Sequence, residues 1–336
     1  MTRVSRAIEA IAAAVVAVSV SAAAGHAAEK IKVTMAATSM NYAPYYAAIE
    51  RGYFKEEGFE VEIIKAGGGT ATPALMSGSV DFSTSGASAL SAILRGAKLR
   101  LVFFPWDRPT YQLWSTTPEI TSLDQLKGKA IGIQTRGDTF EIATRLILIA
   151  RGMDPNSVSY TPLGYGSGRM AAITAGSLPA VVLSRVDIED LRSRGGLANG
   201  RMIVNMYGEV RMPYTGIAVS AKAIEKDRDR VKRLVRASIK GLAYSAAYKD
   251  KMIEYVSKYN PKAPRRALEL DYDEVLASKT DDGTVEAKFQ RQEADLRAEV
   301  ISLAKDKIPP LDRIFDFSMA DEVNRELAAA GWKPVE

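Results

Sequence analysis

The sequence predicts an α/β protein built from two layered units and completed by a helical C-terminal region. Three observations carry that reading. Short β-like runs alternate with helical stretches from about residue 31 to residue 219. Most of these runs end in Gly, Ser or Asn before the next helical stretch, as strand-to-helix loops do. From Ala221 onward the pattern changes: Val231, Leu234, Val235, Ile239 and Leu242 recur at helical spacing, as a buried face requires.

In chain order, Ile31 to Met35 alternates at period two and reads as a first strand. A helix carrying Tyr45 and Tyr46 runs from it to Arg51-Gly52. Phe59 to Ile64 is a second strand, broken by Gly67-Gly68-Gly69-Thr70 ahead of a helix with Ala74, Leu75 and Met76. Val80 to Thr84 and Leu99 to Phe104 are further strands, separated by a helix from Ala87 to Arg95. A second unit opens near Ser122, an N-cap residue, with Gly128 as helix stop. Its strand Ala130 to Gln134 passes through Thr135-Arg136-Gly137-Asp138 into a helix from Thr139 to Arg151. The rhythm continues through Val158 to Leu163, Met170 to Ala175 and Ala180 to Leu183, and closes with strands at Ile203 to Met206 and Thr215 to Val219. The charge-rich stretch from Asp271 to Arg297 predicts exposed helices, and Pro309-Pro310 precedes a last amphipathic helix around Met319 to Ala330.

The N-terminus has a different character. Arg3 and Arg6 precede an Ala- and Ser-rich apolar stretch from Ile8 to Ala24, interrupted by Glu9, and Gly25-His26-Ala27 follows as a small-x-small pattern. That is the layout of a secretory signal peptide, assigned to residues 1–28. The stretch is short and weakly hydrophobic for a bilayer span, and no other long apolar run follows. The expected location is therefore the periplasm.

Composition excludes several chemistries. The chain has no cysteine, so disulfides, thiol catalysis, thiolate metal sites and a lipid on an N-terminal cysteine are ruled out. Its single histidine, His26, lies in the signal segment, which removes histidine triads, histidine-ligated zinc and imidazole proton shuttles from the remainder. With 45 basic against 40 acidic residues interleaved, the chain has no unbroken basic face for nucleic acid. No metal, cofactor or nucleic-acid partner is expected.

Three stretches together resemble the nitrate/sulfonate/taurine-type substrate-binding proteins, the NMT1/THI5-like family. They are Ala43-Pro44-Tyr45-Tyr46-Ala47-Ala48 with Gly52 to Val61; Leu75 to Phe82, where a helix and small turn lead into Val-Asp-Phe; and Leu123 to Ile133, where Lys-Gly-Lys precedes Ile-Gly-Ile. The resemblance implies a type II periplasmic-binding-protein fold, two α/β lobes joined by a two-segment hinge with a helical C-terminal region. Lobe 1 would comprise residues 29–115 plus 216–336, and lobe 2 residues 116–215. It further implies a monomeric solute-binding component that traps a small molecule by lobe closure and delivers it to an ABC permease and ATPase.

Ligands of open α/β sheets sit at the carboxyl ends of strands, where helix N-termini offer free N–H groups. Four loops meet that condition. They supply Ser39, Asn41, Tyr42 and Tyr45; Gly68, Gly69 and Thr70; Ser85, Gly86 and Ala87; and Thr135, Arg136, Asp138 and Thr139. The resemblance adds Arg185 and Tyr214. The glycine run is either a cradle or a turn, Ser85-Gly86 also reads as a helix cap, and the tyrosines divide between cleft and core. Arg136 is either a bidentate grip for a carboxylate or sulfonate or a surface arginine paired to Asp138. Trp106 lines the cleft or packs the hinge. These residues favour a small organic anion, a sulfonate, carboxylate or aromatic acid; the alternatives are a thiamin-pyrimidine-type precursor, or a sensory module with no permease. The family name also covers thiamin-pyrimidine synthases that work through histidine and a cysteine-rich iron motif. Past residue 28 this chain has neither residue type, so the expectation is a binder, not an enzyme.

Overall fold

The computed structural model describes residues 28–164 and 166–336; the expected signal segment lies outside them but for its last residue. The chain forms two five-stranded sheets of the same plan. In the first, β1 (Glu29–Met35) runs parallel to β2 (Phe59–Lys65) and to β3 (Phe82–Ser83). β10 (Ile217–Ser220) then inserts antiparallel between β3 and β4 (Leu99–Phe103). In the second, β6 (Ala130–Ile133) is parallel to β7 (Ser159–Pro162) and β8 (Ala180–Leu183). There β5 (Gln112–Ser115) is antiparallel to both β8 and β9 (Arg201–Asn205).

In each sheet the antiparallel strand is the one the chain makes directly after crossing from the other lobe. β5 follows the first crossing and β10 follows the second. This corrects the expected boundary after residue 115: Gln112–Ser115 are hydrogen-bonded into the second sheet, so the first crossing lies upstream of β5. The crossings pair with each other as a ribbon. Tyr214 N–H donates to Trp106 O at 3.1 Å, and Met212 N–H to Asp107 O at 2.8 Å. Trp106 is buried here, its indole N–H donating to Asn41 O at 2.8 Å, so it packs the hinge.

Helices cover both faces of each sheet. Those of the first lobe are α1 (Ala43–Glu50), α2 (Tyr53–Glu56), α3 (Gly68–Met76) and α4 (Gly86–Leu94). The second lobe carries α5 (Thr139–Ala150), α6 (Gly166–Thr174) and α7 (Arg185–Ser193). The C-terminal return comprises α8 (Ala221–Lys226), α9 (Arg228–Ala247), α10 (Lys249–Tyr259), α11 (Arg265–Ala277), α12 (Ala287–Val300) and α13 (Ser318–Ala329). The periodic residues of α9, Val231, Leu234, Val235, Ile239 and Leu242, share one core with Ile31, Val33, Tyr45 and Tyr46.

The stretch from Asp271 to Arg297 differs from the exposed helices expected of its charge. Asp271, Glu293 and Arg297 are all buried. One turn apart on α12, Arg297 Nε donates to Glu293 Oε1 at 2.7 Å, so two opposite charges enter the interior together. Arg297 also reaches both lobes, donating to Gly137 O in the second at 2.6 Å and to Ser91 Oγ in the first at 3.3 Å. Leu296 packs into the second-lobe core and Ala298 into a first-lobe core, so α12 is a third link between the lobes.

The close approach of α9 to α1 depends on Gly241, where a Cβ would stand 2.0 Å from Pro44 O and 3.0 Å from Ala48 Cβ. Neither backbone can yield without displacing a helix. Gly241→Ala should lower stability by roughly 1–3 kcal/mol through overpacking, read as a fall in urea midpoint with an unchanged slope.

Candidate ligand-binding site

A cavity of about 350 Å³ lies between the carboxyl ends of the two sheets. Five wall segments sit at strand ends: Ala36 to Ser39 with Asn41 and Tyr42 follow β1, Lys65 ends β2 with Gly68 just beyond it, Thr84 and Ser85 follow β3, Gln134 follows β6, and Ser184 follows β8. The hinge adds Tyr111, Tyr214 and Thr215. Three strand ends of the first sheet and two of the second thus face a common space, as open α/β sheets place their ligands.

Of the sequence-derived candidates, Ser39, Asn41, Tyr42, Gly68, Ser85, Ala87, Asp138, Thr139 and Tyr214 line this cavity. The others lie elsewhere. Tyr45 points inward: it is fully buried, its hydroxyl donates to Thr215 O at 2.8 Å, and its ring meets Phe103 edge-on. Gly86 packs on the second crossing, its N–H donating to Gly216 O at 2.6 Å, and a Cβ there would stand 2.5 Å from that oxygen. Thr70 closes its own turn through Gly67 O at 3.2 Å. Gly69, Thr135 and Arg136 line a neighbouring cavity. The Arg136 side chain is 61% exposed and stands 3.5 Å from Glu141, not from Asp138. Arg185 pairs with Glu274 of α11, tying the start of α7 to the first lobe.

The structure brings in residues that the sequence reading passed over or ranked low. Arg169 is buried in the wall, donating to Gly164 O and to Asp187 Oδ2, both at 2.9 Å, with its guanidinium 4.6 Å over the Phe140 ring. Its signal was the Gly166-Ser167-Gly168 run before it. A Cβ at Gly166 would stand 2.5 Å from Asp187 Oδ1, and one at Gly168 2.1 Å from Leu163 O, so both glycines make room for the pair. An aromatic wall forms alongside: Tyr111 meets Phe140 edge-on at 4.1 Å and Tyr214 at 5.6 Å, and Tyr259 stacks on Tyr46 at 4.4 Å.

The electrostatics differ between the lobes. In the second, the starts of α5 and α7 are already met by carboxylates. Asp138 accepts from Glu141 N–H at 3.0 Å and from Thr135 N–H at 2.8 Å, and Asp187 closes a capping box with Ser184 over α7. In the first lobe, α3 and α4 start without a side-chain cap. The first-lobe wall therefore presents helix N–H groups and their positive dipole ends to acceptors, while the second-lobe wall presents carboxylate oxygens to donors. Burial pushes the Asp138 carboxyl up to about 6. Among the described residues, no cluster of three or more His, Cys, Asp and Glu could hold a metal ion. No helix among them is long and apolar enough to cross a membrane.

A family model described as NMT1/THI5 like matches residues 39–251. A riboflavin-binding protein, RibY of Chloroflexus aurantiacus, is 28% identical over 243 residues, 69% of this chain and 66% of that protein. The chain thus spans just under two thirds of that relative's length. The aliphatic sulphonate binding protein SsuA of Escherichia coli superposes with a TM-score of 0.69 at 17% identity, covering 85% of this chain and 97% of that one. The nitrate-binding protein NrtA of Synechocystis PCC 6803 superposes at 0.67 with 14% identity, covering 91% of each. The shared architecture is the periplasmic-binding-protein fold.

Asp271 on α11 lies behind the Tyr42 loop, where Met40 N–H donates to it. Burial, and then the nearby Glu274, push its carboxyl up to about 7 despite Arg185. The unfolded chain releases this proton near 3.8, the ordinary value for an aspartate, whereas the folded chain holds it to about 7. The group's contribution to stability therefore falls as pH rises between those limits and is constant above them. Asp271→Asn should remove that slope. The difference in unfolding free energy between wild type and variant should shift against the wild type by roughly a few kcal/mol between about pH 4 and about pH 7, measured by urea titration.

Proposed function

Because this chain belongs to the NMT1/THI5-like family, we propose that it is an exported, non-enzymatic substrate-binding protein that captures a planar heteroaromatic molecule and passes it to an ABC importer. The observation that carries the ligand class is the charge balance of the cavity wall. Its buried guanidinium, Arg169, is already matched by Asp187, the starts of α5 and α7 are matched by Asp138 and Asp187, and the remaining lining cation, Lys65, stands exposed at the end of β2 on the first-lobe side. A strong anion at that wall would meet two carboxylates. A ring with carbonyl or imine acceptors along one edge and N–H or hydroxyl donors along the other suits both walls: acceptors toward α3 and α4, donors toward Asp187 and Gln134. Tyr42, Tyr111, Phe140 and Tyr214 supply aromatic surface for its faces.

This reading moves away from the organic anion favoured by the sequence and toward the ring-type alternative. The riboflavin named for the 28% identical relative is a ligand of that class. Lobe closure about the paired crossings would enclose it, and export would place the protein in the periplasm. The absence of a histidine or cysteine after residue 28 supports binding without chemistry, since the usual nucleophile–base pairs cannot be assembled.

A ligand at free concentration L that binds only the folded state stabilises it by RT ln(1 + L/Kd), so the melting temperature rises with the logarithm of concentration over Kd. Thermal shift of the chain from residue 29 onward, screened with riboflavin, simple pyrimidines, aromatic carboxylates and alkanesulfonates, should show the rings stabilising it and being recovered unchanged. Tyr42→Ala should weaken the best ring roughly tenfold through loss of stacking and buried area. Stabilisation by alkanesulfonates alone would overturn the proposal.

A further inference from the structure

A second cavity, about 610 Å³, adjoins the first and shares Gly68, Ser88 and Asp138 with it. It lies along the same interlobe cleft, between α3 and α4 on one side and the loop after β6 with the start of α5 on the other. At the shared boundary the starts of α3 and α4 touch: a Cβ on Gly68 would stand 2.4 Å from Ser88 Cβ. The Gly68 backbone and the small Ser88 side chain therefore form the first-lobe wall where one compartment opens into the other.

The outer compartment carries two guanidinium groups, where the inner one carries the single ammonium of Lys65 at its first-lobe edge and the paired Arg169. Arg95 reaches it from the first lobe and Arg136 from the second, both exposed. The carboxylates beside them are occupied. Glu141 is buried against Arg145 at 2.9 Å and accepts from Gly137 N–H at 2.9 Å, and both oxygens of Asp138 accept backbone N–H groups. Arg145 is spent in turn on Glu141 and on Asn156 at 2.8 Å. Arg136 retains one contact at 3.5 Å, and Arg95 makes no ion pair among the described residues. The start of α3, without a side-chain cap, borders the same space. Two guanidinium groups on opposite lobes thus flank a polar pocket whose own acids are satisfied.

From this arrangement we infer that the outer compartment takes a terminal oxyanion, a carboxylate or phosphate, on a tail extending from the ring held in the inner cavity. The inference rests on the ring reading above for the inner cavity and assigns a separate role to Arg95 and Arg136. It also separates two ligand features that the sequence reading placed at one spot: the ring lies among the tyrosines, and the anion lies one compartment outward.

Calorimetric titration with a matched series tests it: lumichrome with no tail, riboflavin with a neutral polyol tail, and riboflavin 5′-phosphate with an anionic one. The phosphate-tailed ring should bind roughly tenfold or more tighter than the other two, in keeping with a charge-assisted bidentate contact, and salt should erode that advantage. The double variant Arg95→Gln/Arg136→Gln should abolish the advantage and leave lumichrome affinity unchanged. Equal affinity across the series, a gain from the polyol equal to that from the phosphate, or a variant that weakens all three alike would overturn the inference. If no ring binds, the ring reading fails and glycerol 3-phosphate alone decides the outer compartment. A rise in melting temperature present in the wild type and missing in the double variant upholds it, and no rise overturns it.

Discussion

Tyr214 donates its backbone N–H to Trp106 O, and Trp106 turns its indole N–H onto Asn41 O. Through these contacts the two chain crossings, the first strand-end loop and the cavity become one unit. Thr215 Oγ1 and the Tyr45 hydroxyl join from either side, donating to Asn41 O and Thr215 O respectively. The loop of residues 39–42 would otherwise be a surface connection free to rearrange. Because it is bonded to the hinge, the Ser39, Asn41 and Tyr42 side chains keep a fixed relation to Tyr111 and Tyr214, whichever way the lobes move about the ribbon. The strand exchange adds to this: β5 and β10 each begin where a crossing ends, so a change at the hinge acts on the fourth strand of a sheet.

The cavity's polarity follows from how the helices are capped. A helix start leaves N–H groups without intrahelical partners, and what meets them decides what a ligand encounters. In the second lobe the chain meets them itself, with Asp138 over α5 and Asp187 over α7. In the first lobe α3 and α4 begin at Gly67 and Ser85 with no side-chain cap. The same plan repeated in two lobes thus gives opposite surfaces, one attracting acceptors and one attracting donors. That opposition, more than any single arginine, is the feature that a ligand with two chemically distinct edges, as proposed, would match.

The fold was legible because its signals are local. Alternation marked β1, strand-end glycines marked the loops, and helical spacing in α9 marked the core-facing return. Two misplacements have a physical cause. Gln112–Ser115 carry no mark of the sheet they join, since an antiparallel strand entering after a crossing pairs with β8 and β9, both far along the chain. The charges from Asp271 to Arg297 looked like a solvated face because burial of a charge depends on partners, and those partners are a turn away or on the opposite lobe. The site was legible to the level of loops but not of side chains. Strand-end position found Ser39, Asn41, Asp138 and Thr139; it could not tell Tyr42 from Tyr45, three residues apart, of which one lines the cavity and one packs beneath it. Arg136 and Arg169 show the same limit. The first sits at a strand end and points outward, whereas the second lies inside a helix and is drawn into the wall by Asp187 and two glycines.

The pair of Glu293 and Arg297 bears on how the lobes can close. Two charges with no exposed surface are costly to remove from water, and the cost is tolerable only with the hydrogen bonds of the geometry intact. Arg297 meets part of that condition by reaching Gly137 O in the second lobe as well as Ser91 in the first, while its Nη2 and Glu293 Oε2 stay buried without a hydrogen-bond partner. An opening motion that carried the 135–138 loop away from α4 would strip a buried guanidinium of an acceptor. The motion of lowest cost therefore keeps that corner together and turns the second lobe about it, with α12 as a strut beside the paired crossings. Such a pivot leaves Asp138, one residue beyond Gly137, nearly stationary relative to the first lobe, while the start of α7 swings furthest. The Arg185–Glu274 contact lies on that moving side and is less deeply buried.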